Sequence, residues 1–261
     1  MARLFSGDNS GDYLTSSDIY DNLSFLLVSA WINPADLTES GTANYDYMGI
    51  VIKGIEVYGS YATTSWYIVL DRRDSENTLA LTISDGVDST SAATITTIKS
   101  KISVGTWYNV VAAWDGTNQD IWLSTGDTAA AGVVEASMNA DDGYPLAIGG
   151  GRAGAPQRSF DGSIAEVAIY TSGSYPTAGE VAGFHSARPL SVRMNGLASY
   201  WPIIGRSSPE VDLISKQDMT IAGTPTVSPH PPIMYPALPM VAHAPSAFIP
   251  VTGPFPTFFR V

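Results

Sequence analysis

The sequence predicts an all-β protein: a two-sheet antiparallel β-sandwich of the jelly-roll type, with one short helix and an extended Pro-rich C-terminal tail. Short apolar stretches rich in aromatic and β-branched residues alternate with Gly, Asp and Asn turns along most of the chain. Asp115-Gly116 separates two such stretches, and this pair favours the tight turn of a hairpin. The chain shows no internal repeat, which argues against a propeller or a solenoid.

The hairpin around Asp115-Gly116 organises the predicted fold. Its strands are expected at 107–114 and 119–125, and neither face of the first strand is polar. A strand that is apolar on both faces belongs inside a layered structure rather than at its edge. We therefore expect Trp31, Trp107 and Trp114 to be buried, and truncation of Trp107 to cost about 3–5 kcal/mol.

The remaining elements follow from the same patterns. The stretch 23–33 is apolar on both faces, which predicts a central strand that ends at Pro34. Thr177 and Glu180 form a capping box, which predicts a short helix over about 177–187 that ends before Pro189. Further strands are predicted at 2–6, 12–15, 48–54, 65–71, 78–84, 92–99, 132–136, 145–149, 160–170 and 196–202.

The chain divides into a sandwich over residues 1–228, which includes the helix and a closing segment at 190–228, and a tail over 229–261. Nine of the 17 prolines lie in this tail, and Arg260 is its only formal charge. Pro-rich linkers are normally polar, whereas this tail carries many large apolar side chains. Such side chains need a surface to cover them, either the chain's own sandwich or another subunit.

Four pieces of the sequence resemble one family. The hairpin contributes Thr106-Trp107-Tyr108, Asp115-Gly116 and Ile121-Trp122-Leu123, and the other pieces are Phe25 to Pro34, Leu146 to Gly150 and Phe160 to Tyr170. In this order they resemble the concanavalin A-like lectin and glucanase superfamily, in its laminin-G-like jelly-roll branch, over roughly residues 2–205. The resemblance implies the fold but no single activity, because this fold carries lectins, glycosidases, adhesion modules and virion proteins.

Composition excludes several kinds of partner. The net charge of −12 repels phosphate backbones, so we expect no binding to nucleic acid. There is no cysteine, hence no disulfide and no thiolate metal site. No stretch of about 18 apolar residues could span a membrane, and the N-terminus lacks the apolar core of a signal peptide.

Catalytic residues are not apparent. Glycosidases of the resembled fold place two carboxylates four residues apart on one strand face, and none of the seven glutamates has such a partner. Asp8 and Asp12 have the spacing but flank Gly11 in a predicted loop. The histidines His185, His230 and His243 are too scattered to predict a triad or a zinc site. We expect that the protein is not an enzyme and requires no cofactor.

Two kinds of binding site remain open. The resemblance implies a Ca²⁺ site built from loop carboxylates, and the candidates in predicted turns or strand ends are Asp8, Asp12, Asp115, Asp141, Asp142 and Asp161. A glycan or a protein partner would favour a cluster of loop aromatics with polar neighbours. The candidates for that contact are Asn44, Tyr45, Asp46, Tyr47, Tyr58 and Tyr61.

Three functions are compatible with these observations. The first is a structural or decorating protein of a virion, on the surface of a phage capsid or tail, held to other virion proteins or to copies of itself by the apolar tail. The second is an extracellular, adhesin-like module that binds cell-surface glycans, and the third is a glycoside hydrolase or lyase. The tail residues expected to dock are Phe248, Ile249, Phe255, Phe258 and Phe259.

Overall fold

A computed structural model shows the fold. It describes residues 1–7, 11–39, 47–54, 63–72, 78–87, 90–140, 143–150 and 159–233. The strands are β1 (Ala2–Ser6), β2 (Tyr13–Thr15), β3 (Leu26–Pro34), β4 (Tyr47–Gly54), β5 (Thr64–Asp71), β6 (Thr78–Ser84), β7 (Thr90–Ile95), β8 (Tyr108–Trp114), β9 (Gln119–Leu123), β10 (Thr128–Ala130), β11 (Leu146–Ile148), β12 (Asp161–Tyr170), β13 (Leu197–Trp201), β14 (Thr220–Ala222) and β15 (Thr226–Ser228). The helices are α1 (Ala178–Phe184), α2 (Pro189–Val192) and a 3₁₀ turn at Ile98–Ser100.

The strands form two antiparallel sheets, which confirms the predicted sandwich. The eight-stranded sheet has the order β10-β9-β8-β3-β12-β1-β15, and β13 pairs with the second half of β12. The seven-stranded sheet has the order β14-β2-β11-β4-β5-β6-β7. In the described part of the chain, neither helix is long and apolar enough to cross a membrane.

The core lies between the two sheets. Trp66 of the smaller sheet and Trp114 and Trp201 of the larger one are all fully buried there. Trp31 is also buried, as predicted, although it lies on the opposite face of the larger sheet. Trp107 is only half-buried, just before β8 begins, so the prediction that it belongs to the core is wrong. Its truncation should therefore cost less than that of a fully buried tryptophan.

The central hairpin is confirmed. β8 lies between β3 and β9, so it is an interior strand. At the turn, Asp115 Oδ1 accepts hydrogen bonds from the backbone N–H groups of Thr117 and Asn118, at 2.9 and 2.7 Å. Gly116 follows with a φ of +81°, a conformation that glycine adopts without strain.

Two segments cover the outer face of the eight-stranded sheet, the face turned away from the core. Helix α1 packs Val181 and Phe184 on one apolar cluster of this face, with α2 beside it. The chain after β15 crosses the other end of the face, where Ile233 is buried against Ala2, Trp31 and Ala165. The part of the predicted tail that the structure describes, residues 229–233, therefore packs on the sandwich.

Two local predictions differ from the structure, namely the strand at 132–136 and the single short helix. Residues 132–136 form no strand, because this segment crosses the end of the hairpin, where the carbonyl of Glu135 accepts from the indole N–H of Trp114 at 2.8 Å. The strand of this region is β10, which pairs with β9. Helix α1 ends before Pro189 as expected, but α2 then begins at that proline, whose fixed φ suits the first residue of a helix.

Candidate functional site

Helix α1 places a histidine over strand β8 of the eight-stranded sheet. The predicted capping box is present: the Thr177 side chain accepts from the backbone N–H of Glu180, and the Glu180 carboxylate accepts from the backbone N–H of Thr177. This fixes where the helix begins, and the burial of Val181 and Phe184 fixes which side faces the sheet. His185, at the C-terminal end of the helix, then lies against β8.

A chain of buried polar groups holds the imidazole of His185. Its Nδ1 lies 2.9 Å from Oδ1 of Asn109, which is fully buried in β8. The Asn109 amide donates from Nδ2 to Ser29 Oγ at 3.1 Å and to the Ala30 carbonyl at 3.2 Å. Since Nδ2 is occupied in this way, Oδ1 faces the ring and accepts from Nδ1–H.

The same burial sets the charge of this histidine. Burial lowers the pKa of His185 to about 4, so the ring is neutral at neutral pH. With the proton on Nδ1, the other ring nitrogen, Nε2, is an acceptor, and it has no partner within the described part of the chain. The site therefore offers a fixed, uncharged hydrogen-bond acceptor.

A groove of about 210 Å³ lies beside His185, between α1 and the turn that follows β9. Trp122 forms one wall, and its ring packs at 59° against Tyr175, with 6.1 Å between the ring centroids. Tyr175 is itself held by a 2.5 Å hydrogen bond from its hydroxyl to the carboxylate of Asp120. The groove is lined by Trp122, Leu123, Gly126, Asp127, Ala178, Val181, Ala182 and His185.

A second polar anchor holds the C-terminal segment. Glu166 is fully buried, and it lies where the register of β12 against β3 shifts, with a φ of +54°. Its carboxylate accepts from Tyr200 Oη and from His230 Nε2, the latter at 2.8 Å, and Arg188 Nε lies 3.7 Å away. The other nitrogen of His230 faces the Pro231 carbonyl at 3.0 Å, so both ring nitrogens meet acceptors.

Most of the predicted glycan or partner cluster lies outside the described residues. This applies to Asn44, Tyr45, Asp46, Tyr58 and Tyr61. Tyr47 is described: it is the first residue of β4, pairs with Asp71 and is half-buried. The predicted docking residues of the tail, Phe248, Ile249, Phe255, Phe258 and Phe259, also lie outside the described residues.

The described carboxylates of the predicted Ca²⁺ set are spread over separate structural positions. Asp12 is buried and accepts from the backbone N–H groups of Ser6 and Thr224, so it ties the strand ends together. Asp115 caps the hairpin turn, and Asp161 begins β12. Asp8, Asp141 and Asp142 lie outside the described residues. Within the described ranges, no three His, Asp or Glu side chains come together as metal ligands would.

Sequence reasoning missed the residues that dominate the outer face. The sequence alone assigns no role to Glu166 or to Asn109. A signal is present in each case, because a polar residue stands among apolar neighbours in the predicted strands at 160–170 and 107–114. Such a residue must find a partner in the fold, and here the partners are His230 and His185.

The fold and the covered outer face define a lectin-like, two-sheet sandwich. A laminin-G family model of the concanavalin A-like lectin/glucanase superfamily matches residues 8–182. The chain therefore belongs to this superfamily. No curated protein sequence matches it.

Solved structures share the fold at low sequence identity. A heptameric pentraxin resembling serum amyloid P from Limulus polyphemus is 14% identical, with a TM-score of 0.58 over 90% of this chain and 97% of the pentraxin. Domains LG4-5 of the mouse laminin α1 chain are 15% identical, with a TM-score of 0.44 over 68% of this chain and 44% of that fragment. Tailspike protein 2 of an Escherichia coli O157:H7 bacteriophage is 14% identical, with a TM-score of 0.47 over 77% of this chain and 28% of the tailspike. The chain thus spans nearly all of the pentraxin but less than half of the other two.

Proposed function

We propose that the protein is a non-enzymatic structural or decorating protein of a virion, displayed on the virion surface and held to the assembly by its C-terminal tail. The observation that carries this proposal is the anchor of the C-terminal segment. His230 and Ile233 fix residues 229–233 to the outer face of the eight-stranded sheet. Residues 234–261, with their many apolar side chains and prolines, therefore start from a defined point on a rigid sandwich.

The tail has the chemistry of a docking peptide. From Phe248 to Val261 it carries four phenylalanines and no acidic residue, in a protein whose net charge is −12. Prolines reduce the entropy that an extended peptide loses when it binds. Each buried phenylalanine could contribute about 1.5–3 kcal/mol, enough to offset the ordering of the backbone. The receiving surface would belong to another virion protein or to a second copy of this chain.

A chain that ends at Ala247 tests the proposal. We expect it to lose its assembly state in light scattering and its occupancy on the purified particle, while its sandwich still unfolds cooperatively. A full-length variant in which Phe248, Phe255, Phe258 and Phe259 are replaced by Ser keeps the length of the tail. It should lose the same assembly state and the same occupancy on the particle. Mass spectrometry of the particle checks that the protein is a component. If truncation lowers only the thermal stability, the tail packs on its own sandwich and the docking proposal is wrong.

The proposal includes the absence of hydrolytic activity. Two of the glutamates on which a glycosidase mechanism could rely are buried beside arginines: Glu166 lies 3.7 Å from Arg188, and Glu210 lies 2.6 Å from Arg3. A buried carboxylate cannot reach the glycosidic bond of a polymer outside the protein. Turnover of β-glucans or galactans that a single Asp or Glu substitution abolishes would contradict this part of the proposal.

Ca²⁺ is not required by the proposed function. Asp12 and Asp115 already accept backbone hydrogen bonds, which is the ordinary role of aspartate at turns. The melting temperature should therefore be the same in EDTA and in excess CaCl₂. An upward shift with CaCl₂ would instead identify a bound ion.

Carbohydrate binding is the second candidate function, with cell-surface glycans as partners. The groove beside α1 favours it, because an aromatic wall, a carboxylate and a fixed imidazole meet there. Binding of the full-length chain to a printed glycan panel tests this candidate directly. The two functions are compatible, since the anchor and the groove lie on different parts of the outer face.

A further inference from the structure

We propose that the groove between α1 and the turn after β9 binds one ring of a glycan, with its C–H face stacked on Trp122 and a hydroxyl donating to Nε2 of His185. This inference rests on the carbohydrate-binding candidate and gives it a location. It concerns a surface other than the loop cluster around Tyr47 that the sequence predicted.

Trp122 provides the stacking surface. It lies on the outer face of β9 and remains partly exposed, and Tyr175 packs against its ring at an angle of 59°. The 2.5 Å bond from Tyr175 to Asp120 and its 3.3 Å bond to the Ala113 carbonyl keep that support in place. An aromatic ring held in this way loses little freedom when an apolar sugar face packs on it.

His185 provides a directional contact. Two apolar side chains in contact would be sufficient to attach the end of α1 to the sheet. Instead, the polar residues Asn109 and Ser29 are buried in β8 and β3, two interior strands. Burying these polar groups is costly unless each is hydrogen-bonded, and here both serve to orient the imidazole. The result is a neutral acceptor at the edge of a groove, which matches a ligand that donates a hydroxyl.

The other side chains of the groove narrow the ligand class. Asp127 disfavours anions, although Lys101 and Thr125 already bond to its carboxylate. The neutral His185 offers no positive charge to a phosphate or sulfate. A volume of about 210 Å³ is smaller than the roughly 300–1,000 Å³ of sites for drug-sized ligands, so a single ring fits rather than a folded peptide.

Two substitutions alter the groove without touching the core. Trp122→Ala removes the stacking surface. Ala182→Leu fills the groove from an exposed position on α1 and leaves every polar group in place. Gly179→Ala is the matched control on the same helix, because Gly179 is exposed, does not line the groove and has room for a Cβ.

The experiment measures the affinity of the full-length chain for sugars by ligand-observed NMR and calorimetric titration. The probes are the methyl glycosides of glucose, galactose, mannose and N-acetylglucosamine, and their short β-linked oligomers. We expect the wild type and Gly179→Ala to bind at least one probe equally, and Trp122→Ala and Ala182→Leu to bind it about tenfold more weakly or not at all. If the wild type binds and both groove variants bind equally well, the groove is not the site, while the carbohydrate-binding candidate stands. If the wild type binds none of the probes, that candidate fails and the inference fails with it.

Discussion

The outer face of the eight-stranded sheet has two ends, and each is closed by a segment that carries a histidine. At one end α1 brings His185 to the neutral amide of Asn109. At the other end the C-terminal segment brings His230 to the carboxylate of Glu166, next to Arg188. Both contacts attach a covering segment to the sheet, but the partner of the histidine is an amide in the first and a carboxylate in the second.

This difference distinguishes the proposed binding site from the proposed attachment site. The neutral anchor orients a ring whose other nitrogen is left as an acceptor, beside a groove that is still open. The ionic anchor uses both nitrogens of its histidine and lies next to Ile233, which is buried. The first arrangement suits a ligand that comes and goes, whereas the second suits a segment that must stay in place.

Removal of the ionic anchor should have the largest effect. Glu166→Ala leaves Tyr200 Oη and His230 without their acceptor in a buried position, and loss of one partner of such a pair typically costs about 3–5 kcal/mol. Urea denaturation at neutral pH measures this as a lower free energy of unfolding. Glu166→Gln, which keeps an acceptor oxygen, should lose less, and the exposed Glu39→Ala should change the stability by less than about 0.5 kcal/mol. A loss below about 1 kcal/mol for Glu166→Ala would show that the C-terminal segment is held mainly by Ile233.

Removal of the neutral anchor should have a smaller effect. Asn109→Ala leaves the Nδ1–H of His185 and the Ser29 hydroxyl without the amide, which should cost about 1–3 kcal/mol. The double variant Asn109→Leu with His185→Phe removes both polar partners, so it should recover part of the loss. Equal losses for the Asn109 and Glu166 variants would remove the distinction between the two anchors.

The sequence was sufficient for the parts of the molecule that depend on local patterns. The strands at 2–6 and 78–84 have the predicted bounds, and the capping box at Thr177 and Glu180 starts the helix where expected. Asp115-Gly116 forms the turn of the central hairpin. Each of these depends on residues within a few positions of one another, so the chemistry can be read without the fold.

The candidate site could not be predicted in this way, because its parts come from distant segments. His185 meets Asn109 and Ser29 only after α1 has folded back over β8 and β3. Similarly, Glu166 meets His230 only after β15 has returned the chain to the edge of the sheet. The sequence showed single polar residues within apolar strands, but not which residues would pair with them.

The smallest expected effect concerns pH, and it tests the neutral state of His185. Its pKa is lowered by burial to about 4 from an ordinary value of 6.5, so between these values the unfolded chain binds a proton that the folded chain does not. The contribution of the neutral ring to the free energy of unfolding is therefore fully present above pH 6.5, and it is lost as the pH falls toward 4. Because the ring is only partly buried, solvent screening should limit the loss to about 1 kcal/mol.

The measurement is the free energy of unfolding from pH 7.5 to 5 for the wild type and for His185→Gln. Other groups, such as Glu135, whose pKa is raised by burial, titrate in both chains, so their contributions cancel in the difference. We expect the wild type to lose more stability on acidification than the variant over this range, because glutamine does not titrate. Parallel pH profiles would mean that the pKa of His185 is the same in the folded and the unfolded chain. In that case burial would not hold the ring neutral, and Nε2 would be an acceptor only above the ordinary pKa of histidine.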